Sequence, residues 1–442
     1  MPDSIEEAAL PPLASRPAET IARPEIEVRE TWNLWTLALH QITLRVGWTF
    51  KTESILVPAF LDTVVDAGWL RGSLPLANRL GQSIPPVIAA ESLKRLRQKK
   101  WALAGFAAAV GLPYLLLALL WFVNGGRKSL LVAAAFLAMQ FLFYVFYGLY
   151  QTAFSTVQGK LIRPTRRGQL LWGSTFWGLF PTIFFCQWLM PGWIGQPVPG
   201  FGYLFLFVGL SLVASGGIVG ALAEPADAAD GGHAPRRAGL AETFAVLRRD
   251  KNLRRLVLLV VWLFLGLVTI PHYQAYARKE LGAEAKDLVF MVITHTTAVS
   301  IYSLFLGPLA DRWGNRLTLR VLILGAAIAP VYALVLPSWV GGLSRYWFWV
   351  VFIPLGLTPL VPTIVFNYAL ELCRPAEHPR YVSMVNLAMM PPFLLSPLVG
   401  TAVDTFGFPS VAIGTCLIMV GCGAMTFWLE EPRRLARDQE TA

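Results

Sequence analysis

Gly307-Pro308-Leu309-Ala310-Asp311-Arg312-Trp313-Gly314-Asn315-Arg316 runs on into Leu317-Thr318-Leu319-Arg320. Apolar sequence flanks it on both sides, from Leu288 to Leu306 and from Val321 to Leu336. A short charged stretch between two such runs reads as a tight turn joining two membrane-spanning helices. Gly307 and Gly314 are expected to permit close approach or positive φ where the chain reverses. Asp311 is an anion at a helix junction, able to cap a helix or meet an arginine. Arg312, Arg316 and Arg320 sit about one turn apart and mark the cytoplasmic face.

Composition agrees with a membrane protein. Hydrophobic residues make up 55%, charged residues 14%, and the mean hydropathy is +0.54. The net charge of +10 comes from basic residues in short bursts between apolar runs, not from one patch. Nucleic acid is therefore not an expected partner; the lipid bilayer is. Cys186, Cys373, Cys416 and Cys422 have no metal or redox spacing, and no metal or other cofactor is expected.

Twelve spans are predicted, at 34–61, 68–92, 101–123, 129–157, 169–190, 201–222, 255–276, 286–307, 318–337, 346–371, 382–404 and 410–429. Each is near the ~20 residues a helix needs to cross the hydrocarbon. The second is the most polar, with Arg71, Asn78, Arg79, Gln82 and Pro85-Pro86. The segments around the spans read as a disordered tail at 1–30, without a signal peptide, a linker at 223–254 and a second tail at 430–442. The linker should carry an amphipathic helix from Leu240, with Leu240, Phe244 and Leu247 on one face. Even-numbered connections and the C-terminal tail, with the span ends that flank them, hold 24 Lys and Arg; the odd-numbered ones after the first hold 6. That bias puts both termini in the cytoplasm.

The linker divides the spans into halves at 31–222 and 255–429, and the halves echo each other. Leu161-Ile162-Arg163-Pro164 follows the fourth span and Leu372-Cys373-Arg374-Pro375 the tenth, 211 residues later. The same offset relates Pro181 to Pro392. An internal repeat of six spans suits a two-bundle transporter.

The stretch at 307–316 closely resembles the G-x-L-A-D-R-x-G-(R/K)-R signature of the major facilitator superfamily of secondary transporters. Asn315 stands where a basic residue is more usual. The resemblance implies an all-α membrane protein with two pseudo-symmetric six-helix bundles. It also implies alternating access around a central cavity lined by the first, fourth, seventh and tenth helices, and a gating motif of Gly307, Asp311, Arg312, Gly314 and Arg316. Asp311 would then lock the inner side near Arg380 at the start of the eleventh helix. After the second span, Ala90-Glu91-Ser92-Leu93-Lys94-Arg95 keeps the basic character but not the glycines. The fifth span has Gly173, Gly178 and Pro181 in an order unlike that of proton-coupled antiporters, so antiport is not expected.

Polar residues inside spans usually face a cavity or a partner. In the first span Gln41, Arg45, Thr49, Thr52 and Glu53 follow one stripe, while His40 and Lys51 point elsewhere. Arg45 and Thr49 are candidate substrate contacts and Glu53 a candidate proton-coupling carboxylate. The alternative is a structural ion pair, or Lys51 and Glu53 snorkelling to the outer interface. Gln140, Tyr144, Tyr147 and Gln151 share a face of the fourth span, either lining the cavity or bonding between helices. Asn367 in the tenth span and Tyr273 in the seventh complete the candidate cavity. His272 reads as interfacial and His295 as a hydrogen-bonded structural histidine.

The expected function is secondary transport of a small polar solute, with the proton as a candidate coupling ion and a monomer in a bacterial inner membrane. The alternative is a non-transporting receptor or assembly subunit on the same fold. No HExxH, GxSxG or P-loop motif points to an enzyme or an ATP-driven pump.

Overall fold

The computed structural model describes residues 24–83, 96–196, 199–226, 240–373 and 377–431. Pro85-Pro86, Lys94 and Arg95, Gly231-Gly232, Arg374-Pro375 and the outer parts of both tails lie outside these residues.

The described residues are helical in all twelve predicted spans, in order. The first is Pro24–Phe50, continued by Leu56–Val64; the second begins at Gly68–Ser83. Lys100–Val123, Leu130–Leu161, Pro164–Ile194 and Pro199–Val219 complete the first half. Leu240–Arg249 forms the predicted linker helix. The second half contains Lys251–Leu267 with Pro271–Lys279, then Ala285–Trp313, Asn315–Val340, a broken tenth span ending in Val361–Glu371, His378–Phe406 and Phe408–Met425. Among the described residues eight helices are long and apolar enough to cross a membrane, one of them taking in both the ninth and tenth predicted spans. The first, second and fifth spans fall outside those eight.

Local chemistry sets the ends of these helices. Ser129 accepts from Val132 N to start the fourth span, and Asp250 accepts from Asn252 N and Leu253 N to start the seventh. Pro164 and Pro271 occupy first-turn positions, where a missing N–H costs nothing. Gly314, at φ 88°, makes the reversal between the eighth and ninth spans.

The structure departs from the sequence reading at several points. The first helix starts at Pro24, inside the expected tail, and Glu30 is buried. Its carboxylate accepts from Arg163 N at 2.9 Å, Arg163 Nε at 2.9 Å and Arg166 Nη1 at 3.2 Å, tying it to the start of the fifth span. The seventh span starts at Lys251 because Asp250 caps it. Gly307 is neither at the turn nor at positive φ. It lies within the helix, and an added Cβ there would meet nothing within 4 Å.

The halves meet along pseudo-equivalent pairs: the second span packs on the eleventh, and the fifth on the eighth. The first and seventh spans are both interrupted, after Phe50 and after Leu267. In the tenth span Pro354, Gly356, Pro359 and Pro362 remove donors and loosen the backbone, so it proceeds in short turns.

The apolar core shows where the halves join. One cluster runs from Leu37, Phe60 and Phe136 into Tyr273, Leu288, Phe348 and Phe408, crossing between halves near the ends opposite the termini. A second cluster, with Leu256, Leu322, Val365 and Met419, belongs to the second half alone. At the termini side the described contacts hold each half to itself: Glu224 accepts from Lys99 N, Lys100 N and Lys160 Nζ, and Tyr381 donates to Asp250.

Candidate functional site

The first span stops being helical where polar residues crowd together, at Thr49-Phe50-Lys51-Thr52-Glu53-Ser54. Short hydroxyl side chains compete for backbone groups here: Thr49 Oγ1 donates to Arg45 O at 3.0 Å, and Thr52 Oγ1 donates to Thr49 O. The break turns Lys51 inward. Its side chain is 0% exposed, and Nζ donates to Glu53 Oε1 at 2.6 Å and to Tyr144 Oη at 3.2 Å. The ammonium lies 3.9 Å from the Trp48 ring centroid, 3.8 Å from Phe143 and 4.6 Å from Tyr144. An aromatic cage of this kind contributes about 2 kcal/mol when desolvated, beyond the ion pair itself.

Glu53 is 30% exposed, and its second oxygen accepts from Asn78 Nδ2 at 2.7 Å. One turn further along the second span, Gln82 donates to Gln151 at 2.8 Å. Gly81 permits this approach: an added Cβ would meet Phe141 O and the Tyr144 Cβ. Trp48 packs on Tyr147 with centroids 4.6 Å apart, and Tyr147 stacks on Tyr150 at 5.7 Å. Tyr150 Oη accepts from Gln41 Nε2 at 2.6 Å and meets His40 Nε2 at 3.0 Å. A polar and aromatic seam thus runs through the first half from Glu53 to His40.

The candidate residues do not form one group. The structure brings Glu53, Tyr144, Tyr147 and Gln151 onto this seam, joined by Lys51, which the periodicity argument had turned away. Helical periodicity places side chains only along an unbroken helix. Arg45 leaves the stripe: Nη2 donates to Thr175 at 3.1 Å and Nη1 to Ser300 at 3.4 Å, a contact with the second half. Thr49 is buried on its own backbone. Gln140 is buried and accepts from Tyr114 at 2.8 Å, on the side of the third span. Tyr273 is 1% exposed and packs edge-on against Phe408 at 4.9 Å. Asn367 is exposed on the tenth span.

The turn around Gly314 is a clamp on the end of the twelfth span. Arg316 donates to Thr426 O and Phe427 O, and Arg320 donates to Thr426 Oγ1 at 2.9 Å while lying 3.6 Å from the Phe427 centroid. Gly314 faces Glu431, whose carboxylate an added Cβ would meet at 2.6 Å. Arg312 is exposed beside Trp313, Asp311 is exposed at the end of the eighth span, and Arg380 is half-buried in the first turn of the eleventh.

A second constellation closes the end away from the termini. Arg71 is 1% exposed and donates to Asp62, Asp66 and Asp404 at 2.5, 3.0 and 3.0 Å. The second half supplies Asp404, Lys279, which meets Asp66 at 2.6 Å, and Gln274, which donates to Asp62 at 2.9 Å. Arg71 Nε also reaches His272 Nδ1 at 3.4 Å, so His272 is buried here and not interfacial. Gly68, Gly72 and Gly400 let the second and eleventh spans touch backbone to backbone, and Gly68 N donates to Asp404 at 2.5 Å. The sequence signal for this latch was Arg71 near the start of the second span, with acids at the neighbouring helix ends.

Residues 267–442 match the family model described as Major Facilitator Superfamily. No curated protein sequence matches the chain. Among solved structures, a mutant of the nucleoside transporter NupG superposes with a TM-score of 0.68 at 12% identity, over 91% of this chain and 100% of that one. A bacterial homolog of the human lysosomal transporter Spinster, inward-facing and unoccupied, gives 0.63 at 15%, over 94% and 99%. A bacterial homologue of the iron transporter ferroportin gives 0.62 in its inward-facing state and 0.54 in its outward-facing state. Both are at 13% identity over 90% of this chain and 98% of that one. The second half of the chain is thus similar in sequence to the major facilitator superfamily, and both halves share the fold of these solved transporters.

Proposed function

We propose that the protein is a secondary transporter that carries a small polar solute by alternating access. Two bundles would rock about a site between them and expose it to each side in turn. The observation that carries this reading is the Arg71 latch: buried charges from both halves meet at one end of the molecule, with an apolar core continuous across the halves behind them. An ion-paired seam of this kind is a two-state element, because its charges can be rehydrated when the halves part. The better superposition on the inward-facing state of the ferroportin homologue supports the same state here.

In this reading both termini face the cytoplasm of a bacterium, in agreement with the bias of Lys and Arg. Glu53 exchanges the coupling proton, with Lys51 and Asn78 as its partners. The solute meets the seam at Glu53, Tyr147 and Gln151, with Asn367 across from it. Asp311 and Arg380 gate the inner end.

Proteoliposomes test the proposal. They should equilibrate polar solutes faster than empty liposomes. A short bis-maleimide joining Asp66→Cys to Lys279→Cys, in a background free of the native cysteines, should stop the flux. Flux that survives the cross-link would contradict alternating access at this end, and no flux with any solute class would point to the receptor or assembly-subunit reading.

A further inference from the structure

Between Asp66 and Glu224 the sequence contains one acid, Glu91, and none lies between Asp287 and Asp311, Asp311 and Glu371, or Glu377 and Asp404. Acids therefore cluster at span ends, and Glu53 is the exception. The bases do not follow that pattern. Arg45 lies 15 residues beyond the clamped Glu30, about 22 Å along a helix, and Arg79 lies 11 residues inside Gly68, about 16 Å. Both guanidiniums are thus deep in the membrane-spanning region.

Each also reaches across to the opposite half and finds neutral acceptors there. Arg45 meets Ser300 at 3.4 Å, besides Thr175 in its own half. Arg79 Nη2 meets Asn386 Oδ1 at 2.6 Å and Asn386 O at 3.2 Å. Arg79 Nε is buried without a hydrogen-bond partner among the described residues. Lys51 already neutralises Glu53. Among the described residues three cations therefore stand against one carboxylate at this depth, and the two guanidiniums meet no acid. An uncompensated charge in a poorly solvated place is costly, and it is kept where something neutralises it. Guanidinium donors match carboxylate and phosphate oxygens in geometry as well as charge.

We infer that the solute is an organic anion, a carboxylate or phosphate ester, bound between Arg45 and Arg79. This rests on the transporter reading and adds the substrate class. The anion would take over donors that now serve Ser300 and Asn386. Binding would then exchange contacts that link the two halves, giving the ligand a differential affinity for the two states.

The test uses the purified full-length protein and four solutes on one carbon skeleton: gluconate, glucose 6-phosphate, glucose and glucosamine. Inorganic phosphate and sulfate are added against chloride at matched ionic strength. The anions should raise the melting temperature by several degrees, and glucose and glucosamine should not. Arg45→Gln and Arg79→Gln should each abolish the shift, while Arg79→Lys, which keeps the charge, should retain part of it. No anion-specific shift in the wild type, or an undiminished shift in both glutamine variants, would overturn the inference. Stabilisation by glucosamine that depends on Glu53 would overturn the anion class and leave transport standing. Anion stabilisation without flux in liposomes would keep the site and remove the carrier.

Discussion

Lys51 reaches Glu53, only two residues on, at 2.6 Å because the first span has stopped being helical at Phe50. On a continuous helix, residues two apart point away from each other. The break therefore creates the ion pair, and the aromatic cage of Trp48, Phe143 and Tyr144 holds the cation in place.

Removing only the cation should leave Glu53 with Asn78 alone. Lys51→Met fills the cage but strands the carboxylate, and since Glu53 is partly exposed the cost should fall below the 3–5 kcal/mol of a fully buried pair. The expected result is a loss of several degrees in melting temperature. The double variant Lys51→Met/Glu53→Gln should regain most of it. Equal melting temperatures for the single and double variants would show that the pair is not coupled.

The Arg71 latch should bias the halves toward closure at this end. Arg71→Gln removes a charge that three carboxylates share, leaving Asp62 and Asp404 without their cation. A shift of at least tenfold toward the open end is expected, equivalent to about 1.4 kcal/mol. Faster labelling of a cysteine placed at Ser396 by a membrane-impermeant maleimide would report it. Labelling at the wild-type rate would show that Arg71 does not hold the ends together.

Contact between the second and eleventh spans should depend on glycine. A Cβ at Gly72 would strike Ser396 O, and one at Gly400 would strike Gly68 O. Neither obstacle is the free end of a flexible side chain. Gly72→Ala and Gly400→Ala should therefore prop the halves apart at that end and slow transport at least tenfold. Gly105→Ala, where a Cβ meets nothing within 4 Å, should leave transport unchanged. Equal transport by all three variants would mean that the close approach is not used.

Acid should weaken the latch through Asp66, in the connection at 65–67. Burial pushes its carboxyl up, but Lys279 and Arg71 outweigh burial and hold it below its ordinary value. A depressed acid gives stability that is complete above its unfolded value, about 3.9, and is lost as pH falls through the folded value. Asp66 should therefore add no pH dependence between about pH 8 and 5, and its contribution should begin to shrink below about pH 4. Melting temperatures of the wild type and Asp66→Asn should differ at pH 7 and converge under acid. A constant gap down to pH 3 would contradict the pairing.

Much of the fold was legible because hydropathy and basic bursts are long-range signals. The turn at 307–320 announced itself by composition, and Gly314 does take the positive φ expected of it. The site was less legible for three physical reasons. Helical periodicity cannot foresee a helix that breaks at Phe50, so Lys51 was assigned to the wrong face. Gln140 and Tyr273 looked equivalent to Tyr144 by residue type, but packing against Tyr114 and Phe408 buries them in the helix interior. The Arg71 latch draws on Asp62, Asp66 and Asp404, which lie in different segments and meet only when the two halves dock.

The most direct measurement is the distance between spin labels at Lys128 and Lys286, exposed positions at the latch ends of the two halves, in the protein reconstituted in lipid. Alternating access predicts two populations, a short one matching this structure and a longer one, with Arg71→Gln enriching the longer. A single narrow distance, identical in wild type and Arg71→Gln, would contradict the account.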